Sequence, residues 1–552
     1  FSPRAIRGGM APATAGMAMA HKMQGSGGVA VVYIGDGTLG QGALYETLNI
    51  ASKWDLPVLF VNENNLFAQS TSQTQTLAGD INARAEAFGI KTYHSNTWDW
   101  PRLFENMKSC IDEIRRTGKP AWHRVDTFRL MAHSKGDDNR PEDYVAPFRE
   151  KDPINTLLRE HGDTPRWKAL IAEIEAEIED AVKTADAAPW GLVEDAIARN
   201  VHREREYRWS RRAFEREKTV AAVRKGLEQG LTDHPNLVII GEDIESPYGG
   251  AFKCTQGLSA KWPDRVRNTP ISEHAIAGIG NGLAMRAMIP VVEIMFGDFM
   301  TLCMDQWVNH AAKFRFMFND KVRVPVIIRT PMGGKRGYAA THSQSIEKHF
   351  VGLPDTQVLC LHHRYSPALL YKDLFRTVDR PTLVVENKTL YGQNVSAEAP
   401  PGFDLLFTDE LFPTARLKPD TGTSQADVTI VSLGGSSLDA EEAAVRLFQE
   451  EEIIADVFFP TRLYPFDIGV LEQSLTETRR LLVVEEGQGF CGLGAEIIAQ
   501  AAERFGSLGL SCKRLSATPN PIPAARPLEQ QCLPGPTHVV AKAMEVVREF
   551  VH

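Results

Sequence analysis

Val31-Val32-Tyr33-Ile34-Gly35-Asp36-Gly37, followed after 26 residues by Asn64-Asn65, is the stretch whose reading decides the fold. The apolar run 29–34 has the length and β-branching of a buried strand, and it stops at Gly35. Residues 40–53 read as a helix, and 58–61 as the next parallel strand, ending in Glu63-Asn64-Asn65. Open α/β sheets bind ligands outside the carboxyl ends of their strands. Asp36 and the Asn64-Asn65 pair would therefore offer a carboxylate and a carboxamide to one crevice. Such oxygen ligands suit a hard cation like Mg²⁺, with a diphosphate completing the octahedron. A lone Gly-Asp-Gly is usually only a turn, and an EF-hand reading of 36–46 fails because its glycine and terminal glutamate are out of register.

The bounds are those of a multidomain soluble protein. At 552 residues the chain exceeds what one core supports, so about three or four domains are expected. Hydrophobic content of 43% with 24% charged residues is ordinary for a globular chain. A net charge of −9 over this length argues against nucleic acid or an anionic membrane as the main partner. Seven cysteines without a CxxC pair read as reduced thiols of a cytosolic protein. No stretch approaches the ~18–20 apolar residues of a membrane span. Residue 1 is Phe, and the residues after it resemble neither a signal nor a transit peptide, so the expectation is a chain beginning mid-protein.

The organisation expected is α/β throughout: two doubly wound parallel-sheet domains and a third α/β domain. Residues 1–150 form the first, with helices expected near 11–23, 74–89 and 99–117, and a strand over 121–129. The polar loop Met131-Ala132-His133-Ser134-Lys135-Gly136 follows that strand, a plausible location for catalytic groups. Residues 151–217 read as a helical junction, and the charge-dense run 202–218 as a solvated helix or connector. Residues 218–394 start a second sheet, with strands near 237–240, 290–294, 324–329 and 382–386. Between them lie Thr269-Pro270-Ile271-Ser272-Glu273-His274 and the loop Gly333-Gly334-Lys335-Arg336-Gly337-Tyr338-Ala339-Ala340-Thr341-His342-Ser343-Gln344. The Pro- and Thr-containing stretch 395–424 reads as a linker. Residues 425–552 alternate strand and helix, carry no obvious catalytic constellation, and default to interaction or assembly.

Gly-Asp-Gly and Asn-Asn at this spacing resemble the thiamine diphosphate signature of transketolases and 2-oxoacid dehydrogenases. Thr269-Pro270-Ile271-Ser272-Glu273, Thr341-His342-Ser343-Gln344 and Val483-Val484-Glu485-Glu486-Gly487 extend the resemblance. Residues 1–150 are similar to the cofactor-binding part of the α subunit of the decarboxylating component, and 218–552 to its whole β subunit, with a transketolase-type C-terminal domain. The resemblance implies that both are fused in one chain. It also implies thiamine diphosphate and Mg²⁺ as cofactors. Asp36 and Asn65 side chains and the Phe67 carbonyl would ligand the metal, and Gly35, Asp36, Gly37, Asn65, Phe67, Arg129 and Glu273 would line the cofactor. Glu273 would hydrogen-bond the aminopyrimidine and favour the imino tautomer, a task that burial suits by raising its pKa. His133 and His342 match the two active-site histidines, and Arg129 a loop-anchoring, phosphate-proximal arginine.

Three departures stand out. The family's α subunit extends further toward its amino terminus than residue 1. Gln69 stands where relatives place an apolar side chain. Lys335, Arg336 and His274 add basic groups on the substrate side that would suit a phosphate, or are ordinary loop residues. The expected reaction is decarboxylation of a 2-oxoacid and acyl transfer to the lipoyl group of a partner acyltransferase, by a homodimer with two sites. The alternatives are transketolase-like transfer of a two-carbon ketol from a ketose phosphate to a lipoyl or acyl-carrier protein, and a non-catalytic cofactor-binding scaffold.

Overall fold

The computed structural model describes residues 7–134, 136, 138–191, 205–422 and 425–549. The chain divides into two compact units, 1–199 and 200–552. No helix among the described residues is long and apolar enough to cross a membrane.

In the first unit, four parallel strands run in the order Ala30–Gly35, Val58–Asn64, Ala121–Asp126, Lys91–Asn96. Gly35 pairs with Glu63, so the Gly-Asp-Gly and Asn-Asn ends emerge side by side, as the sequence pattern requires. The strand Val58–Asn64 is almost continuously buried, as expected of a parallel strand covered on both faces. Helix Met10–Met23 packs on Ala30–Gly35 and on helix Gly42–Lys53, and its buried Ala11, Ala15 and Ala18 permit close approach. The helix expected over 74–89 is two short pieces, Gln73–Thr76 and Ile81–Glu86. Helix Trp100–Thr117 matches its expectation and ends on left-handed Gly118. Helix Pro165–Ala187 has no buried residue in this unit.

The second unit holds two seven-stranded sheets sharing one hydrophobic core. The first runs Arg462–Tyr464, Gln357–Cys360, Thr382–Asn387, Ile327–Met332, Ile289–Glu293, Leu237–Gly241, Val266–Asn268, parallel except for Arg462–Tyr464. Its buried ionic centre is Arg329, 1% exposed, whose guanidinium bonds Glu293 and, at 2.6 and 3.0 Å, Glu386 on the flanking strands. Tyr371 and Tyr391 hydroxyls donate to the same Glu386 carboxylate. The second sheet runs Ser511–Ala517, Arg480–Gln488, Val428–Ser432, Ala455–Pro460, Thr414–Pro419, Phe403–Thr408, Trp209–Ser210.

Two expectations are corrected here. The stretch 395–424 is no linker: Phe403–Thr408 and Thr414–Pro419 form an antiparallel pair whose alternating burial completes the last sheet. Of the helix and connector readings of the charged run, the helix is excluded over 205–218. The run is an extended strap whose Trp209–Ser210 adds the edge strand. Arg212 donates to the Thr408 and Glu410 carbonyls at 2.9 Å each, and Arg205 bonds Asp409 at 2.7 Å. The remainder of the predicted run, 202–204, lies outside the described residues.

Replacing Arg329 by Met would leave two buried carboxylates without their counter-charge. Breaking a buried ionic cluster in this way costs about 3–5 kcal/mol. Urea denaturation of the full chain should show that loss in the transition of the second unit, and an unchanged midpoint would refute the role given to Arg329.

Candidate active site

Asp36 follows its strand directly and is only 5% exposed. Its carboxylate accepts from the Gly37 N–H at 3.1 Å, from Gln73 Nε2 at 3.0 Å, and from the Leu66 N–H. Burial raises its pKa, and these neutral donors oppose the rise. Leu66 is in the left-handed region (φ 69°), which turns the chain tightly after Asn65. Asn65 Oδ1 then accepts the Phe67 N–H at 3.0 Å. A Cβ on Gly37 would lie 3.1 Å from the Ala68 Cβ, so the absence of a side chain there lets the two loops meet. Asn64 is held from both sides, with Gln73 Nε2 on its oxygen at 2.6 Å and Asp126 Oδ1 accepting from its Nδ2 at 2.7 Å.

Arg129 clamps the same loop, donating to the Ala68 carbonyl at 2.9 Å and the Gln69 carbonyl at 2.6 Å. Arg140 lies over the Phe67 and Phe128 rings (5.6 and 5.1 Å) and donates to the Met131 carbonyl at 3.2 Å. That tethers the His133 loop to Phe67. His133 itself is exposed, with Nδ1 3.0 Å from Ser134 Oγ. The structure thus gathers Asp36, Gly37, Asn65, Phe67 and Arg129 around one loop and leaves His133 on the segment beyond it.

In the second unit the strands' carboxyl ends carry the other predicted residues. Glu273 opens helix Glu273–Ala284 and is buried. Beside it stands Glu242, just after strand Leu237–Gly241, whose carboxylate accepts the Ser272 N–H. Burial, reinforced by the Glu273 charge, pushes Glu242 up to about 7. Its Oε1 is buried without a hydrogen-bond partner. Glu273 is thus close enough for its charge to help Glu242 keep its proton.

His342 lies in the loop after Ile327–Met332, its Nδ1 2.9 Å from Thr341 Oγ1. Phe296 and Phe299 meet the imidazole edge-on at 4.7 and 5.2 Å. The basic residues suggested for phosphate recognition are engaged elsewhere. Lys335 pairs with Asp439. His274 Nε2 is 3.0 Å from Gln306 Nε2 and 3.5 Å from Asp305. Arg336 lies over the Tyr338 ring at 5.9 Å.

Sequence reasoning missed Gln73, Glu242 and the carboxylates that hold the His342 loop. Glu242 was readable in principle, because a Gly-Glu-Asp closes its strand as Gly-Asp-Gly closes the first. Nothing local marks Gln73.

The donor sets fit a thiamine diphosphate site. Asp36 is a buried carboxylate surrounded by neutral donors, and an all-oxygen set of one carboxylate and amides suits Mg²⁺. The partnerless Glu242 oxygen beside Glu273 suits a nitrogen heterocycle that exchanges protons.

Comparison with known proteins agrees with this geometry. Residues 2–193 match the family described as dehydrogenase E1 component, 217–393 the transketolase pyrimidine binding domain, and 420–539 the transketolase C-terminal domain. The chain is 33% identical over 341 residues to the β subunit of acetoin:2,6-dichlorophenolindophenol oxidoreductase from Cupriavidus necator, covering 60% of this chain and 97% of that one. It is 33% identical over 322 residues to the mitochondrial pyruvate dehydrogenase E1 component subunit β of Caenorhabditis elegans, covering 58% and 89%. In fold it resembles transketolase from Campylobacter jejuni (TM-score 0.64, 14% identity, 98% of this chain and 82% of that one). Transketolase from Leishmania mexicana is similar too (TM-score 0.63, 16% identity, 100% and 81%).

The carboxyl pair gives a pH prediction. Glu242 holds its proton more tightly when folded than an ordinary glutamate does. It therefore adds stability below about pH 4.5, and that stability is lost as pH rises through about 7. Glu242→Gln should flatten this part of the stability profile in denaturant melts at stepped pH. A profile with the wild-type slope would refute the assignment.

Proposed function

Because the chain belongs to the family of thiamine diphosphate-dependent dehydrogenase E1 components, we propose that it decarboxylates a 2-oxoacid and passes the acyl group to the lipoyl group of a partner acyltransferase. The observation that carries the reading is that one chain holds both domain types, each with a buried carboxyl environment suited to one part of the cofactor. One is an oxygen cradle around buried Asp36 in an E1-type domain, and the other a buried Glu242–Glu273 pair in a pyrimidine-binding domain.

Asp36, Asn65 and the Phe67 carbonyl would hold Mg²⁺ and through it the diphosphate, with Gln73 yielding its place on Asp36. Arg129 keeps the 66–69 loop in position for this by clamping its carbonyls. When bound, thiamine diphosphate supplies the electron sink for loss of carbon dioxide. Glu273 would hold and return a proton at a ring nitrogen, beside the Glu242 carboxyl that burial pushes up to about 7. With Thr341 on Nδ1, His342 has Nε2 to orient the substrate carbonyl or give it a proton. His133, on its exposed loop, would sit near the diphosphate. The family's use of α-type and β-type domains in each site supports a homodimer, and seven free cysteines support a cytosolic setting.

The test uses the full chain with thiamine diphosphate, Mg²⁺ and a lipoylated acceptor domain. Pyruvate, branched 2-oxoacids and ketose phosphates are offered in parallel, with carbon dioxide trapped and the acyl adduct weighed. The expected result is an adduct with carbon dioxide release from a 2-oxoacid. An adduct from a sugar phosphate without carbon dioxide, or bound cofactor without turnover, would overturn the reading. Glu273→Gln should lower kcat by about 10²–10⁴-fold, the range of general acid–base catalysis, with cofactor binding retained by calorimetry. Asp36→Ala should abolish the Mg²⁺ dependence of that binding.

A further inference from the structure

Two charged atoms, one against the Phe296 ring and one on a carboxylate bonded to the His342 loop, are buried without a hydrogen-bond partner: Lys388 Nζ and Asp298 Oδ2. Lys388 is 0% exposed and follows strand Thr382–Asn387, with its N–H held by the Met332 carbonyl at 3.0 Å. Its ammonium lies 5.6 Å from the centre of the Phe296 ring, whose neighbour at 4.7 Å is His342. Asp298 is two residues beyond Phe296. Its Oδ1 accepts from Gln344 Nε2 at 2.9 Å, which fixes the carboxylate against the His342 loop and leaves the second oxygen over.

The other charges near Lys388 are spoken for. Glu486 accepts from the Gly334 N–H and, at 2.7 Å, from Asn387 Nδ2. Glu529 accepts from the Gly337 N–H. Lys335 pairs with Asp439, and Arg336 lies over Tyr338. The Asp298 charge acts on Lys388 without forming an ion pair with it. Burial lowers the Lys388 ammonium to about 8, which still leaves it mainly protonated at neutral pH.

A buried donor and a buried acceptor that lack partners are costly to keep. Their chemistry limits what satisfies them. A methyl or branched alkyl group satisfies neither. A carboxylate or phosphate would accept from Lys388 but meet Asp298 with like charge. A hydroxyl does both, accepting from the ammonium and donating to the carboxylate.

We propose that Lys388 and Asp298 form a hydroxyl-recognising subsite beside His342, and that the acyl donor is a 2-oxoacid with a hydroxyl on the carbon next to its carbonyl. This rests on the 2-oxoacid reading above, and hydroxypyruvate is the simplest such acid. The bond between its carboxyl and carbonyl carbons breaks, and carbon dioxide leaves. The electron pair left on the carbonyl carbon then reduces the lipoyl disulfide. That carbon is oxidised to a thioester of glycolic acid on one sulfur, while the other sulfur takes up a proton.

The experiment compares hydroxypyruvate with pyruvate, using the full chain loaded with thiamine diphosphate, Mg²⁺ and a lipoylated acceptor. Fructose 6-phosphate is run alongside with carbon dioxide trapping. A site built to bond a hydroxyl should favour hydroxypyruvate in kcat/KM by at least about tenfold. Lys388→Met and Asp298→Ala should each bring that ratio toward one, mainly through the KM for the hydroxylated acid. Asp298→Asn, which keeps an acceptor oxygen, should restore part of it. Calorimetry with acetylphosphonate and its hydroxylated analogue reads the same preference without turnover, and urea midpoints check that each variant folds. Equal use of both acids, or a preference that neither variant moves, overturns the subsite and leaves the 2-oxoacid reading standing. A hydroxyacyl adduct from fructose 6-phosphate without carbon dioxide, lost in both variants, keeps the subsite and overturns the 2-oxoacid reading.

Discussion

The second unit depends on the ionic contact of Arg329 with Glu293 and Glu386. Arg329 is on the middle of three adjacent parallel strands, and register places it directly beside Glu293. Two tyrosine hydroxyls complete the coordination of Glu386. A buried charge cluster of this kind contributes little net stability over an apolar replacement, but it is intolerant of misalignment. A one-residue slip would reverse the faces of every side chain on the strand and leave a charge unpaired. The register so fixed matters a few residues later. The three strands lead into Phe296 and Asp298, the Gly333 loop that carries His342, and Lys388 against the Phe296 ring.

That loop is held less by its own strand than by the C-terminal domain. Gly333, Lys335, Gly337 and Ala339 all have positive φ, and for Lys335 and Ala339 this is a strained conformation. The strain is sustained by hydrogen bonds from outside. Glu486 takes the Gly334 N–H, Glu529 takes that of Gly337, and Asp439 holds the Lys335 ammonium. At Gly333 a Cβ would come within 2.2 Å of Asn387 Nδ2. A domain whose sequence suggests only assembly therefore shapes the loop that carries His342.

How legible each element is in the sequence depends on how local its signal is. The Gly-Asp-Gly strand end, the strand before Asn-Asn and the helix Trp100–Thr117 are contained in single runs of apolar periodicity and turn chemistry, and all are observed. The edge strand around Trp209 and the pair Phe403–Thr408 and Thr414–Pro419 are not legible in the sequence because their structure comes from partners far away in it. Charged residues dominate the strap, yet its arginines bond carbonyls and carboxylates of the other strands, a pattern invisible without the fold. Lys335 and His274 looked like free basic groups for the same reason, since Asp439 and Asp305 lie 104 and 31 residues away in sequence. Glu273 was readable from its motif. Its carboxyl neighbour Glu242 required knowing that two strand ends adjoin.

The two units use the same penalty, burial of a carboxyl group, toward different chemical ends. At Asp36 the N–H donors, among them Gly37, Gln73 and Leu66, favour the ionised form against desolvation, so what the environment lacks is positive charge. At Glu242 a single N–H from Ser272 is outweighed by burial and by Glu273, so what the environment favours is a retained proton. The first arrangement suits a cation and the anionic group it carries. The second suits a base that exchanges a proton with Glu242. Lys388 and Asp298 apply the same logic to a neutral group, because one unpaired donor beside one unpaired acceptor is complementary to a hydroxyl and to neither ion.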